Sequence, residues 1–220
     1  MWTQFKADYE SQSPVALDQE AMFNFFETVD KIITHNKKTE KTYTKGINAF
    51  SAMTFEQVSE HFHFNENKKN APQNCSATRS SPLTAESNDD DVPDTWDWTK
   101  HGGVSPVKDQ GNCGSCWTFS TVGCLESAHL IKYGRLETYA EQQLVDCAGA
   151  FDNFGCDGGL PSHAFEYVNF TGGISTEAAY PYFGKDNTCT VDTSTFKLSV
   201  GHAQNITVGD ETELKAAVYK

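Results

Sequence analysis

The sequence has no run of about 18 apolar residues, the length that a membrane-spanning helix requires, so no membrane is expected as a partner. It is also short of basic residues, with 17 Lys and Arg against 30 Asp and Glu and a formal charge of −13. Such a chain repels phosphate backbones and anionic lipid surfaces, which argues against nucleic acid as a partner. The opening Met1-Trp2-Thr3-Gln4-Phe5-Lys6 lacks the basic start and apolar stretch of a secretory leader. Glycine and cysteine are nearly absent from the first ninety residues and crowd into the remainder. Two regions of different character are therefore joined in one chain.

What is present suits a globular protein. Hydrophobic residues make up 38% and aromatics 12% of 220 residues, enough for one large core or two small ones. Six of the seven cysteines lie between Cys113 and Cys189, a density that fits an oxidising compartment better than cytosol. Three glycosylation acceptor patterns, beginning at Asn74, Asn169 and Asn205, point the same way. The expectation is a secreted or compartmental protein whose leader is not in this chain.

From about Leu17 to His61, Phe25, Val29, Ile32 and Ile33 fall near helical spacing, predicting one amphipathic helix. A polar break at His35-Asn36-Lys37-Lys38 follows. Tyr43, Ile47 and Phe50 then suggest a short strand, and Thr54-Phe55-Glu56-Gln57 a second helix start. Between Asn65 and Asp91 almost nothing is apolar, and Asn88-Asp89-Asp90-Asp91 is the pattern of a solvated, cleavable connector. A new composition begins at Val92-Pro93-Asp94-Thr95-Trp96-Asp97-Trp98. The expected divisions are residues 1–65, a linker over 66–91, and a second domain over 92–220.

In that second domain Trp117 to Tyr133 has no proline and spaces Val122, Leu125, Ala128 and Ile131 along a helix face, with Gly134 as its stop. Cys124 is expected on the apolar side as an inert buried thiol. Shorter helices are expected over Tyr139 to Val145 and Ser162 to Tyr167, and strands over Lys197 to Val200 and Ile206 to Val208. The chemistry concentrates in Gln110-Gly111-Asn112-Cys113-Gly114-Ser115-Cys116-Trp117, where Cys116 enters the helix. Only a thiolate attacks a carbonyl, and a helix N-terminus favours it with a partial positive charge and free N–H groups. Six residues earlier, Gln110 carries an amide donor of the kind that stabilises an oxyanion. A redox or zinc pair made of Cys113 and Cys116 competes with this, but it lacks the preceding strand of the one and the second pair of the other. Neither a metal nor a cofactor is called for.

Cys113-Gly114-Ser115-Cys116-Trp117 resembles the nucleophile signature of papain-family cysteine peptidases. Glu141-Gln142-Gln143-Leu144-Val145-Asp146-Cys147, Gly155-Cys156-Asp157-Gly158-Gly159-Leu160-Pro161 and Tyr180-Pro181-Tyr182 match further landmarks in order. The resemblance implies an α+β, two-lobed fold of which this chain holds mostly the helical nucleophile lobe. It implies Cys116 as nucleophile and Gln110 as oxyanion donor, with Gly158 and Gly159 beside the substrate backbone; a plain turn is the alternative for the glycines. It also implies disulfides Cys113 to Cys156 and Cys147 to Cys189, though sequence alone leaves three pairings of those four open. Substrates would be peptides or proteins, and the setting a lysosome, a vacuole or the extracellular space.

The first ninety residues resemble the family's helical inhibitory propeptide, which occupies the substrate cleft. Phe25, Ile32 and Asn36 match its interrupted helix motif, whereas Leu17, Ala21 and Thr28 replace Glu, Arg and Asn. Gly46, Asn48 and Phe50 match the second motif, with Ala52 in place of Asp. A weakened internal salt bridge is expected from the first set, and the second puts a pH trigger through the family's acid at position 52 in question. Pro72-Gln73-Asn74-Cys75-Ser76-Ala77-Thr78 resembles the mini-chain that the cathepsin H branch keeps from its propeptide, with Thr78 as the terminus after cleavage. A glycosylated linker containing a cysteine is the alternative. Against activity stand the histidines: His35, His61, His63, His101, His129, His163 and His202 all fall outside the interval where the family's base lies, about 130 to 150 residues after the nucleophile. His202-Ala203 copies the family's His-Ala pair too early. The chain is expected to lack the His and Asn, so a fragment with no turnover, or a non-catalytic regulator of related peptidases, competes with an active enzyme.

Overall fold

The computed structural model describes residues 1–62, 92–200, 206–207 and 209–219. The linker expected over 66–91, with Asn74, Cys75 and Thr78, lies outside the described residues, as do His202 and Asn205. The chain divides into two compact units, Met1–Phe64 and Asn65–Lys220.

In the first unit helix α1 spans Trp2–Tyr9 and α2 spans Gln19–Asn36. The Asp18 carboxylate accepts from the Ala21 N–H at 3.0 Å and starts α2, satisfying one of the amides that a helix N-terminus leaves unpaired. One face of α2 is buried through Ala21, Phe25 and Val29, while Ile33 at the edge of the stripe stays 42% exposed. Phe25 is fully buried, with the Phe5 ring 4.5 Å and the Trp2 ring 5.4 Å away. Leu17, Ala21 and Ala52 join this one cluster. Three positions where the propeptide resemblance expects charge thus carry apolar side chains packed on the same aromatic core. Apolar contact takes the place of an ion pair.

The strand expected around Tyr43 to Phe50 does not form. Instead the Asn36 amide brackets Lys45, donating to its carbonyl and accepting from its N–H, both at 2.8 Å. A side chain replaces the neighbouring strand, so Tyr43 and Ile47 remain exposed. Helix α3, Phe55–His61, starts as expected with a complete capping box between Thr54 and Gln57.

The second unit is built on α4, Cys116–Tyr133, which ends at Gly134 in the left-handed region with φ of 68°. Helices α5, Glu141–Cys147, and α6, Pro161–Thr171, pack against it. A two-stranded antiparallel sheet pairs β1, Ile174–Ser175, with β2, Phe196–Leu198. The core joins Trp117, Val122, Leu125, Tyr139, Leu144, Tyr167, Val168 and Ile174. Residues 206 and 207 belong to no strand, and a helix not anticipated, α7, follows at Glu211–Tyr219. The Trp98 indole donates to the Val218 carbonyl at 2.6 Å, and the Tyr219 ring meets Trp96 edge-on.

The buried face of α4 differs from expectation. It runs through Trp117, Thr118, Thr121, Val122, Leu125, Glu126 and His129, leaving Ala128 and Ile131 exposed. Cys124 is likewise exposed rather than buried, though desolvation by the surrounding protein raises its thiol pKa. The helix turns its polar Glu126 and His129 inward because both find partners there. Glu126 meets Lys108, and His129 Nδ1 lies 2.8 Å from the Tyr139 hydroxyl.

Candidate active site

Cys116 is the first residue of α4 and its thiol is exposed. The Thr118 amide donates to the Ser115 carbonyl at 2.8 Å, which leaves the amides of Cys116 and Trp117 as the helix's N-terminal donors beside the thiol. Next to it Trp117 is 2% exposed and anchors the helix start, its indole donating to the Gly155 carbonyl at 3.0 Å. The loop before the helix is tied by the disulfide Cys113–Cys156, and Cys147–Cys189 ties the end of α5. These are the bonds that the resemblance implies. With Cys113 so bonded, Cys113 and Cys116 are not a dithiol pair, and among the described residues no group of His, Cys, Asp and Glu is arranged to hold a metal.

Gln110 lies on the same loop. Its Nε2 donates to the Cys113 carbonyl at 2.8 Å, which fixes the amide plane with one of two N–H groups. Two residues earlier, Lys108 reaches inward to Glu126 Oε1 at 2.5 Å and Glu141 Oε1 at 2.7 Å, so α4, α5 and the Gln110 segment meet at one ammonium. Burial alone would push the Lys108 pKa down, but the hydrogen bonds from Glu126 and Glu141 outweigh it and hold it above its ordinary value. Burial pushes the Glu141 carboxyl up, and Lys108 only partly offsets that. Glu177 is raised too, by burial first.

The loop after β1 closes over this assembly. The Tyr182 hydroxyl donates to the Gln110 carbonyl at 2.8 Å and lies 2.6 Å from Ser115 Oγ. Asp186 accepts from the Cys156 N–H at 2.9 Å, and Gln142 holds Phe183 N–H and the Lys185 carbonyl at 2.8 and 2.7 Å. A pocket of about 420 Å³ opens beside this loop, lined by Asp146, Tyr180, Phe183 and Lys185 among others.

Gly158 and Gly159 turn out to differ. Gly158 has φ of 108°, a conformation that side chains rarely adopt. At Gly159 a Cβ would stand 2.7 Å from the Trp117 ring and collide with Asn153 Oδ1, so glycine is needed there by the indole. Asn169 is exposed in the last turn of α6, and Thr171 of its acceptor pattern donates its hydroxyl to the Tyr167 carbonyl at 2.9 Å. The described histidines of this unit are engaged elsewhere: His101 stacks on Trp96, His129 meets Tyr139, and His163 faces the Asp152 carbonyl.

Sequence reasoning gave no role to Lys108 or Glu126, and it named Glu141 and Tyr182 only within landmark motifs, without their contacts. A signal existed for Glu126, which follows Leu125 and is the one acidic residue of α4. A charge there calls for a partner.

An exposed cysteine at a helix N-terminus, a glutamine on the preceding loop and a disulfide clamping that loop form the arrangement that the papain-family resemblance implies. Residues 92–220 match the papain family cysteine protease model, and residues 2–58 match the cathepsin propeptide inhibitor domain. The chain belongs to the papain family of cysteine proteases. It is 50% identical over 195 residues to thiol protease aleurain of Arabidopsis thaliana, covering 88% of this chain and 52% of that protein. It is 48% identical over 189 residues to pro-cathepsin H of Mus musculus, covering 86% of this chain and 54% of that one. Among solved structures, a digestive procathepsin L 3 from Tenebrio molitor larval midgut superposes with a TM-score of 0.81 at 33% identity, covering 99% of this chain and 68% of that one. The chain spans about half the length of the curated relatives it matches.

Proposed function

We propose that this chain is part of a cysteine peptidase precursor of the cathepsin H kind, an aminopeptidase with some endopeptidase character that works in lysosomal or vacuolar proteolysis. The observation that carries the reading is the exposed Cys116 thiol at the head of α4 with the Gln110 amide fixed on the adjoining loop. Cys116 Sγ gives its proton to a base and attacks the substrate carbonyl. The oxyanion then takes the second Gln110 N–H and the Cys116 backbone N–H. Collapse expels the amine with the proton returned by the base, and water hydrolyses the thioester. Gly158 and Gly159 lie beside the substrate backbone, and residues 2–58 act as the inhibitor, as their family match suggests.

The aminopeptidase character rests on Pro72 to Thr78, outside the described residues, and on the similarity to proteins named pro-cathepsin H. A carboxylate left at Thr78 would pair with the ammonium of a free N-terminus, a contact worth roughly ten- to a hundredfold in preference. The complete protein is tested on substrates with free and acetylated N-termini, before and after Cys75→Ser. Loss of the free-amine preference on releasing the segment is expected; a preference that is absent, or that survives, leaves an ordinary endopeptidase.

A second reading, a non-catalytic regulator, is favoured by the engagement of every described histidine of the second unit away from Cys116. On it, the 220 residues alone are inert toward amino-acid amides, a loss of several orders of magnitude as when a base is removed. Turnover by this chain that Cys116→Ala abolishes would exclude it.

A further inference from the structure

The α4 helix begins abnormally. Ser115 is its N-cap, and a serine there ordinarily turns its hydroxyl back to accept from an amide of the first turn. Here Ser115 makes no such bond. It is fully buried, and its Oγ lies 2.6 Å from the Tyr182 hydroxyl and 3.4 Å from the Cys113 carbonyl. The proton assignment follows from the partners. Tyr182 has one hydrogen, and the Gln110 carbonyl at 2.8 Å can only accept, so Tyr182 donates to Gln110 and Ser115 donates to Tyr182.

Tyr182 is itself held firmly. Its N–H donates to Glu177 Oε1 at 2.8 Å, and its ring meets Phe119 of α4 edge-on at 5.0 Å. The phenol is therefore a fixed post between two elements of the site, the loop carrying Gln110 and the residue just before Cys116.

We propose that Tyr182 is a positioning residue for Cys116 and Gln110: by engaging the Ser115 hydroxyl it keeps the Cys116 and Trp117 amides of α4 uncapped, the Thr118 amide already donating to the Ser115 carbonyl at 2.8 Å, and by donating to the Gln110 carbonyl it sets the oxyanion donor in register with them. The inference rests on the reading of Cys116 as nucleophile, and it adds a role for a tyrosine that touches no substrate. Uncapped amides remain available to an anion at Cys116, either the thiolate or the oxyanion formed from it. Were the phenol's oxygen removed, the Ser115 hydroxyl would donate to the Cys113 carbonyl, already 3.4 Å away, and its lone pairs would be free to accept from the Cys116 and Trp117 amides.

The test uses the full 220-residue chain, in which Cys116 is exposed, and follows its alkylation by iodoacetamide across a pH series. Peptide mass spectrometry reads Cys116 and Cys124 separately. Tyr182→Phe keeps the ring and its contact with Phe119. An N-cap hydrogen bond shifts an equilibrium about fivefold, so the Cys116 rate on the rising limb of the profile is expected to fall by about that factor while the alkaline plateau stays. Adding Ser115→Ala to Tyr182→Phe removes the hydroxyl that would turn inward and is expected to restore most of the rate. A tyrosine that merely filled space would give neither the displaced profile nor the rescue. Coincident profiles for wild type and Tyr182→Phe, or a double variant no faster than the single, would overturn the inference while leaving Cys116 as nucleophile. A wild-type Cys116 that reacts no faster than Cys124 would overturn the nucleophile reading itself.

Discussion

The two units are held together by different physics. The first has a core of aromatic rings and small apolar residues around Phe25, with no disulfide among its described residues. The second adds two disulfides, a half-buried ammonium between two buried carboxylates and a phenol bridging two loops. Apolar packing is tolerant of motion and of replacement by similar shapes, whereas buried polar networks demand fixed geometry and penalise any missing partner. The rigid chemistry surrounds Cys116. The replaceable packing belongs to the segment that matches an inhibitor.

The sharpest way to break the contrast is Phe25→Ala. Removing a fully buried phenylalanine that touches Trp2 and Phe5 is expected to cost about 3 to 5 kcal/mol. Hydrogen exchange should show lost protection in α2 with α4 and α5 unchanged; equal loss in both units would mean that their cores are one cooperative system. Lys108→Met is the counterpart in the second unit and is expected to cost about 3 kcal/mol, because Glu126 and Glu141 would then be buried without their cation. Its pH dependence has a definite sign. The Glu141 pKa is already raised by burial and would rise further without Lys108, and a raised carboxyl contributes stability that is present in acid and lost as pH climbs through its folded value. Urea titrations should find the deficit small near about pH 4 and full by about pH 7. A deficit constant over that range would show that Lys108 acts through packing alone.

Local rules were legible in the sequence, and long-range ones were not. The start of α4 at Cys116, its stop at Gly134 and the capping box at Thr54 depend on residues within a turn of one another, so pattern sufficed. The disulfides came only through resemblance. Helix α1 carries a single buried residue, Phe5, too weak a stripe to announce itself. The Tyr182 bridge spans 67 and 72 residues, and Lys108 reaches Glu141 across 33, distances at which no periodicity operates. Cys124 was misplaced because an apolar helix was assumed to bury its apolar side, when Glu126 and His129 had claimed the interior. The Asn36 clamp on Lys45 shows the same override in the first unit, a side chain standing in for a strand.

Gly159→Ala probes the rigidity of the second unit on a smaller scale. The added methyl would stand 2.7 Å from the buried Trp117 ring, which its hydrogen bond to Gly155 prevents from retreating. Overpacking of this kind costs about 1 to 3 kcal/mol. Because Trp117 adjoins Cys116, the same variant is expected to slow Cys116 alkylation, which distinguishes strain at the site from a remote loss of stability. Thermal unfolding and alkylation measured on one sample decide it; a full loss of stability with unchanged alkylation would separate Gly159 from the nucleophile.

The smallest expected effect lies in the first unit, at Thr54. Its hydroxyl accepts from the Gln57 N–H at 3.2 Å while the Gln57 side chain accepts from the Thr54 N–H at 2.8 Å. Helix α3 has seven residues and none of them is buried, so little packing supports it and the cap supplies much of its order. Thr54→Ala removes the hydroxyl and is expected to cost about 1 kcal/mol, whereas Thr54→Ser keeps the bond and should recover most of it. The readout is hydrogen exchange at Val58 and Phe62, whose amides donate to Thr54 and Val58 carbonyls at 3.0 and 3.1 Å. Exchange there should quicken about fivefold while α2, fixed by Phe25 and Val29, keeps its protection. If α2 loosened equally, α3 would be an integral part of the aromatic core rather than a helix held mainly by its own cap.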